Sequence, residues 1–407
     1  MVALGVLSPA MESMQTPDPV PVADPREVPE EVPAPGDSPR RPRVAVLFGG
    51  RSSEHAISCI TAASVLRAID HSVYDVIPIG VTRTGRWVLA ADDPGRWELT
   101  DGTLPEVKDG DGPAVIAPTA IGDSRMQVLE PGRLPRALTE VDVVLPLLHG
   151  PFGEDGTLQG LLELTDVRYV GSGVLASAAS MDKPVMNIML AAAGLPIGEY
   201  VVVLPGEWQR HPDRIRDDIE ELGWPVFVKP ARSGSSMGIT KVSGPDELAA
   251  AIAAAQRHDP KVVVEAMIEG REIECGVLES TDGGPPLTSM PGEIEVLAGH
   301  DFFDFEAKYL DEQSARLTCP ADLPAEVEQR VRDLSVRAFQ AMGCEGLARV
   351  DFFVRPDGEV VVNEINTMPG FTPTSMYPRM WAATGLSYSE LVDRLLRLAL
   401  NRPTGLR

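Results

Sequence analysis

Apolar positions acquire a period abruptly at Arg43. Upstream, QTPDPVPVADPREVPEEVPAPGDSPRRP (15–42) is rich in proline and acid and has no period, so residues 1–42 are expected to form a disordered tail. RVAVLFGG (43–50) is a continuous β-branched run ending in two glycines, the pattern of a parallel strand buried on both faces. SSEHAISCITAASVLRAID (52–70) has helical spacing, with Ser52 or Ser53 as its cap. YDVIPIGVT (74–82) and VDVVLPLLHG (141–150) predict two more buried strands. Between them a Gly/Pro-rich stretch, about 83–135, reads as small strands and loops. An open α/β sheet over 43–176 follows.

A second unit is expected over 177–261 and a third over 262–407. DKPVMNIMLAAAGLP (182–196) predicts a helix with an early proline and a glycine stop. WPVFVKPARSGSSMGITKV (224–242) reads as strand, glycine-serine loop, strand, and PDELAAAIAAAQRH (245–258) as a helix. VVVEAMIEGREIECGVLE (262–279) supplies two strands with a turn at Glu269-Gly270. Helices are predicted at 324–344 and 387–401, and GLARVDFFVRPDGEVVVNEIN (346–366) forms a hairpin between them. If Asp357-Gly358 is a two-residue turn, Pro356 faces Glu359. Asp351 then lies opposite Glu364, and Arg349 opposite Asn366. A three-residue turn shifts this pairing by one.

The net charge of −24 argues against nucleic acid or an anionic membrane as the main partner. Cys59, Cys275, Cys319 and Cys344 lack metal-ligand spacing and read as reduced, mostly buried thiols of a cytosolic protein. No apolar run is long enough to span a bilayer.

Chemistry concentrates at the hairpin's far end. Like charges opposed across a strand pair repel, and burying them unpaired costs far more. Carboxylate and amide oxygens from Asp351, Glu364 and Asn366 suit Mg²⁺ or Mn²⁺ beside a nucleotide's phosphates. A solvated strand end with a surface acid pair explains the same stretch. Lys229 is followed by a loop with Gly234, Ser235, Ser236 and Gly238, whose N–H groups and hydroxyls suit phosphate oxygens, although flexible hairpin tips share this composition. Lys183 at a helix start and Lys308-Tyr309 in FFDFEAKYLDEQSAR (302–316) are further candidates, with an exposed helix and an amphipathic surface segment as the alternatives.

LFGGRSSEHAIS, LPLLHGPFGEDGTLQGLLEL, YVGSGVLASAASMDK, VFVKPARSGSSMGITKV, FEAKYLDE, ARVDFFV and NEINTMPGFTPTSM, in this order, resemble the D-alanine–D-alanine ligase family of the ATP-grasp superfamily. The resemblance runs from about Arg43 to Leu400. It implies an ATP-grasp fold: an N-terminal Rossmann-like parallel-sheet domain, a central ATP-grasp subdomain and a C-terminal α+β subdomain. It also implies a cytoplasmic, homodimeric enzyme of peptidoglycan synthesis acting on small molecules. ATP would phosphorylate the carboxylate of one D-alanine, and the amine of a second would displace phosphate.

By the same resemblance, Asp351, Glu364 and Asn366 hold two Mg²⁺ (or Mn²⁺) ions, with Glu364 bridging. Lys183, Lys229 and the Ser235–Ser236 loop hold ATP phosphates, and Lys308 reaches the γ-phosphate. Glu265 and Glu272 match acids near adenine and ribose, while Ala266 stands where the family often has a lysine. Glu54 would take the first substrate's ammonium, near His149. Arg349 and the Gly370 N–H would form the oxyanion site, a role that fits a tetrahedral acyl-transfer intermediate. Ser375 and the N–H of Met376 would clamp the second carboxylate. Tyr309 would join a network with Ser235 and Glu54.

From the residues alone, Arg349 is equally a charge partner of Asp351 or Glu364, His149 a hydrogen-bonded residue at a strand end, and Glu54 a first-turn helix acid. Three rival functions remain. LFGGRSSEH lacks the G-x-G-x-x-G of a dinucleotide-binding oxidoreductase. A D-alanine–D-lactate ligase or another ATP-grasp carboxylate-amine ligase shares most motifs, but Tyr309 favours the dipeptide enzyme. A non-catalytic nucleotide-binding regulator would not need the full set of Asp351, Glu364, Asn366 and Arg349.

Overall fold

The structure, a computed structural model, describes residues 40–405 except 101, 119, 122–123, 131, 235–236 and 297–314. The tail expected over 1–42 therefore lies, through residue 39, outside the described residues.

The first sheet contains β1 (Arg43–Gly49), β2 (Asp75–Val81), β3 (Trp87–Leu89), β4 (Ala114–Ile116), β5 (Arg125–Leu129), β6 (Arg136–Glu140) and β7 (Val143–Pro146), in the order β6-β5-β4-β3-β2-β1-β7. β1 is parallel to β2 and β7, and the remaining pairs are antiparallel. Val44, Val46 and Phe48 enter one core, while Ala45 and Leu47 enter another on the opposite face. This two-sided burial is why the strand reads as a continuous apolar run. Helix α1 (His55–Ala68) and the closing helix Tyr388–Asn401 share the first of these cores, so the C-terminus packs back onto the N-terminal sheet.

Helix α1 begins later than the serine caps predicted. Glu54 holds the cap position and makes no side-chain cap bond. The Ser52 hydroxyl is engaged elsewhere: it donates to the His149 carbonyl at 2.6 Å and accepts from the Glu54 N–H at 3.2 Å.

The second sheet has the order β10-β9-β11-β8, from β8 (Tyr200–Val203), β9 (Val226–Pro230), β10 (Thr240–Val242) and β11 (Val262–Ala266). The third runs β15-β14-β12-β16-β17, with β13 paired to β12; its strands are β12 (Arg271–Leu278), β13 (Leu287–Thr288), β14 (Gly292–Val296), β15 (Ala315–Thr318), β16 (Leu347–Val354) and β17 (Val360–Asn366). The two strands read from 262–279 are thus not paired with each other. β11 joins the second sheet and β12 the third, and the chain crosses at Gly270, where a β-carbon would meet the Val354 carbonyl oxygen at 2.8 Å. The boundary expected at 261/262 falls before a strand of the middle sheet.

Helices α2 (Thr157–Glu163), α3 (Val174–Met181) and α4 (Lys183–Ala192) follow the first sheet. Met186 and Leu190 of α4, one helical turn apart, enter the core formed by the third sheet and the helix Ala325–Ala341. Residues 183–192 therefore pack with the third unit rather than with the second. In that core Ile273, Cys275 and Val277 alternate along β12, and Ala348, Val350 and Phe352 along β16. The intervening residues of both strands face away from the helix. Cys59, Cys275, Cys319 and Cys344 are all free thiols, with Cys319 half-buried and the others buried.

The buried His55 ring fastens the Gly49-Gly50 turn. Its Nε2 accepts from the Val107 N–H at 2.9 Å, so Nδ1 carries the proton and donates to the Gly50 carbonyl at 2.6 Å. Burial lowers its pKa from the ordinary 6.5, against the raising effect of the Gly50 carbonyl. The folded state therefore binds this proton less readily than the unfolded chain. The resulting stability is complete above about pH 6.5 and is lost as pH falls below it. His55→Gln keeps a donor and an acceptor without titrating. Between about pH 7.5 and 5.5 its melting temperature should fall less than that of the unaltered protein, and equal falls would contradict the assignment.

Candidate active site

The hairpin register rests on two departures that cancel. Arg355 N–H donates to the Glu359 carbonyl and Gly358 N–H to the Arg355 carbonyl, so the turn holds three residues, Pro356 to Gly358. Near the turn Phe352 faces Val362 and Val354 faces Val360. A bulge between Asp351 and Phe352 then restores the pairs Asp351–Glu364 and Arg349–Asn366. The packing shows the same slip: Val360, Val362 and Ile365 all enter the helix-side core, a change of parity that needs an extra residue.

β12 lies on the other side of β16, with Glu272 opposite Phe353, Glu274 opposite Asp351 and Gly276 opposite Arg349. Three carboxylates, Glu274, Asp351 and Glu364, therefore form one row across adjacent strands. Cations are set among them. Arg349 Nε and Nη2 each donate to an Asp351 oxygen at 2.7 Å, and Nε lies 3.2 Å from Glu274 Oε1. Asn366 Nδ2 donates to Asp351 Oδ2 at 3.0 Å, and Lys183 Nζ lies 3.3 Å from Glu364 Oε2. Burial works against the Arg349 charge, but Asp351 and Glu274 outweigh it and hold its pKa well above the ordinary guanidinium value. Of the acid pair that could have been a solvated strand end, Asp351 is 9% exposed and the Glu364 side chain 27%.

Among the described residues no group of three or more His, Cys, Asp and Glu stands ready to enclose a metal. Asp351, Glu364 and the Asn366 amide instead make an open set of oxygen donors. That suits a hard divalent cation completed by phosphate oxygens and water.

One rung from this row, a cavity of about 370 Å³ opens between the second and third sheets. Phe227, Lys229, Glu265, Ala266, Met267, Glu272, Phe353 and Asn363 are among its lining residues. Lys229 Nζ contacts Glu265 Oε2 at 2.5 Å. Burial alone would lower the lysine pKa, but Glu265, then Glu364 and Glu272, raise it, so the ammonium keeps its charge. Lys183 Nζ donates to the Ser233 carbonyl at 3.2 Å, and its backbone N–H donates to the Ala231 carbonyl. The helix-start lysine is thereby fixed to the stem of the glycine-serine loop.

A second group of buried or half-buried polar side chains comprises Glu54, His149 and Glu154. Glu54 is 6% exposed, and β-carbons built on Gly150 or Gly234 would sit 2.7 and 3.0 Å from its Oε2. This carboxylate therefore joins the first sheet's loops to the glycine-serine loop. His149 Nδ1 lies 3.3 Å from the Met368 carbonyl, so it carries the ring proton, and its Nε2 is buried without a hydrogen-bond partner among the described residues. Burial lowers the His149 pKa, against the charge of Glu54. Glu154 accepts from the Gly150 N–H at 2.9 Å, and burial, then the charge of Glu54, pushes its pKa to about 8.

Gly370 lies against Ser375, whose hydroxyl oxygen would be 3.2 Å from a Gly370 β-carbon. Ser375 occupies the cap position of the helix Met376–Ala383, and its Oγ accepts from the Thr372 N–H at 3.2 Å. The Met376 N–H thus stands in a helix first turn, where anions are favoured.

Contacts and cavity lining join Lys183, Lys229, Glu265, Glu272, Arg349, Asp351, Glu364 and Asn366, charge joins Glu54 to His149, and Gly370, Ser375 and Met376 form a separate cluster at a helix start. Ser235, Ser236, Lys308 and Tyr309 lie outside the described residues. Sequence reasoning missed Glu154 and Glu274. The signal for Glu274 was present in REIECGVL, where acids alternate with apolar residues on one strand.

Residues 43–172 match the D-ala D-ala ligase N-terminus and residues 189–397 the D-ala D-ala ligase C-terminus. The chain is 66% identical over 374 residues to the D-alanine–D-alanine ligase of Kineococcus radiotolerans, covering 90% of this chain and 99% of that protein. It is 60% identical over 375 residues to the D-alanine–D-alanine ligase of an Arthrobacter species, covering 92% and 97%. Among solved structures, the D-alanine–D-alanine ligase from Coxiella burnetii superposes with a TM-score of 0.72 at 37% identity, covering 89% of this chain and 94% of that one. The VanG D-Ala:D-Ser ligase from Enterococcus faecalis gives 0.75 at 37%, covering 88% and 100%. The shared architecture is the ATP-grasp fold expected from the sequence.

Gly150 has φ of +73°, and a β-carbon there would press on Glu54 Oε2 at 2.7 Å. Gly150→Ala should cost about 1–3 kcal/mol in denaturant unfolding. A change below about 0.5 kcal/mol would contradict the packing described for this turn.

Proposed function

The chain belongs to the D-alanine–D-alanine ligase family, and we propose on that premise that it joins two D-alanines, with cleavage of ATP to ADP and phosphate, to give D-alanyl-D-alanine for peptidoglycan precursors. The observation that carries the reading is the order of features along the third sheet. Glu272 borders the cavity, the carboxylate row comes two residues further along β12, and the Gly276–Arg349–Asn366 rung two residues beyond that. Each step is about 7 Å. Base, phosphates and reacting carbonyl of a bound nucleotide and substrate would follow the same order.

In this reading Glu265 and Glu272 serve adenine and ribose, and Lys183 and Lys229 the phosphates, with Ser235, Ser236 and Lys308 completing the set. Asp351, Glu364 and Asn366 would hold two Mg²⁺ or Mn²⁺ ions. The cations offset phosphate charge that this acidic row would otherwise repel. Glu54 takes the ammonium of the first D-alanine. His149, neutral at physiological pH, offers its Nε2 lone pair to a substrate N–H.

The first carboxylate attacks the γ-phosphorus, ADP leaves, and a D-alanyl phosphate remains. The second amine attacks its carbonyl carbon. Arg349 and the Gly370 N–H are suited to stabilise the oxyanion that develops there. The carbon–oxygen bond to phosphate then breaks, and the amine's proton is lost. Ser375 and the Met376 N–H hold the second carboxylate, in keeping with the helix start they occupy.

No described helix is long and apolar enough to cross a membrane; the proposed cytoplasmic location rests on the family resemblance. A homodimer completes the reading, and exposed Leu164, Leu175 and Ile188 on or beside α2, α3 and α4 are apolar surface that a second copy could cover.

Two measurements check this function. Phosphate release and product mass are followed with ATP and D-alanine, L-alanine, or D-alanine mixed with D-lactate or D-serine. D-Alanyl-D-alanine should dominate; no ATP turnover with D-alanine would overturn the reading, and a dominant mixed product would make the chain a sibling ligase. Glu364→Gln keeps shape but removes charge, so turnover should fall by orders of magnitude with little change in fold. Near-normal turnover of this variant at limiting Mg²⁺ would remove the metal assignment.

A further inference from the structure

Asp351 is asked to do two things at once. Both its oxygens accept from Arg349, and Oδ2 also accepts from Asn366. A carboxylate has about four lone-pair sites; these bonds fill three of them and both on Oδ2, so a cation that binds through Oδ2, alone or with Oδ1, must displace part of that set. Arg349 would then be a buried guanidinium with its main partner turned elsewhere, the situation that most penalises a buried charge.

The third carboxylate of the row removes this conflict. Glu274 stands opposite Asp351 on β12, on the side away from Glu364, and its Oε1 already lies 3.2 Å from the same Arg349 Nε that reaches Asp351. The side chains of Arg349 and Glu274 are 15% and 7% exposed, so water competes little for this contact. The next rung on β12 is Gly276. A β-carbon there would lie within 2.9–3.1 Å of Trp381 Nε1, Ser289 Oγ and Tyr377 Cε2. This packing leaves no room for a side chain at the position opposite Arg349.

We propose that Glu274 is a positioning residue that holds Arg349 at the reacting centre when Asp351 turns to the metal-carrying nucleotide. The inference rests on the reading of Asp351 and Glu364 as metal ligands. By sharing Arg349, Glu274 lowers the hold of the guanidinium on Asp351 and leaves that carboxylate available. Removing its charge should leave Arg349 dependent on Asp351, in competition with the cation.

The test is the Mg²⁺ dependence of ADP binding, followed by calorimetry with the full-length protein. In Glu274→Gln the Mg²⁺ concentration giving half-maximal ADP binding should rise about tenfold, the scale on which a neighbouring opposite charge acts. ADP affinity at saturating Mg²⁺ should stay within about twofold. Glu274→Asp keeps the charge on a shorter arm and should fall between the two proteins. An unchanged midpoint in a folded Glu274→Gln overturns the proposal. If the glutamine variant does not fold, an unchanged midpoint in Glu274→Asp overturns it equally. Glu364→Gln is measured in parallel: if its midpoint also stays put, the metal reading has failed, whereas a shift in Glu364→Gln alone rejects the role of Glu274 by itself.

Discussion

Like charges on neighbouring strands repel, and this fold places three carboxylates in one row. Glu274, Asp351 and Glu364 are held in register by the β12–β16–β17 ladder, so they cannot separate without breaking backbone hydrogen bonds. Cations must therefore come to them. Arg349 arrives from the next rung of β16, and Lys183 from the start of α4. The whole acidic row is suited to a ligand that brings its own positive charge along with phosphate.

The surroundings follow from that demand. Helix α4 is fixed by Met186 and Leu190 in the third sheet's core, and this aims Lys183 at Glu364. The loop after β9 is tied to the same helix through the Lys183 contacts with Ala231 and Ser233. Elsewhere burial keeps His149 neutral and pushes Glu154 to about 8, so the group around Glu54 adds less charge than its composition suggests. Charge is concentrated in the carboxylate row and reduced around Glu54.

Much of this was legible in the sequence because periodicity is local. The continuous run RVAVLFGG, the helix at Lys183 and the hairpin around Asp357-Gly358 were all readable from spacing. The pairing Asp351–Glu364 was reached by a two-residue turn that the protein does not use; a three-residue turn and a compensating bulge give the same partners. A bulge leaves no mark in composition, since one extra Val or Asn in an apolar strand looks ordinary. The late start of α1 was hidden because Ser52 is drawn to the His149 carbonyl, a partner 97 residues away. Glu274 escaped notice for a similar reason: strand alternation was visible, but its neighbour on β16 was not. The pairing of β11 and β12 in different sheets likewise depends on long-range contacts.

The central claim is that a divalent cation and Arg349 divide this row between them. A crystal structure with ADP and Mn²⁺, using the anomalous signal of manganese, tests it most directly. The account predicts manganese bound by Asp351 and Glu364, the Asn366 amide oxygen turned toward it, and Arg349 withdrawn from at least one Asp351 oxygen toward Glu274. Arg349 still bidentate on Asp351, with no manganese beside either carboxylate while ADP fills the cavity, would contradict it.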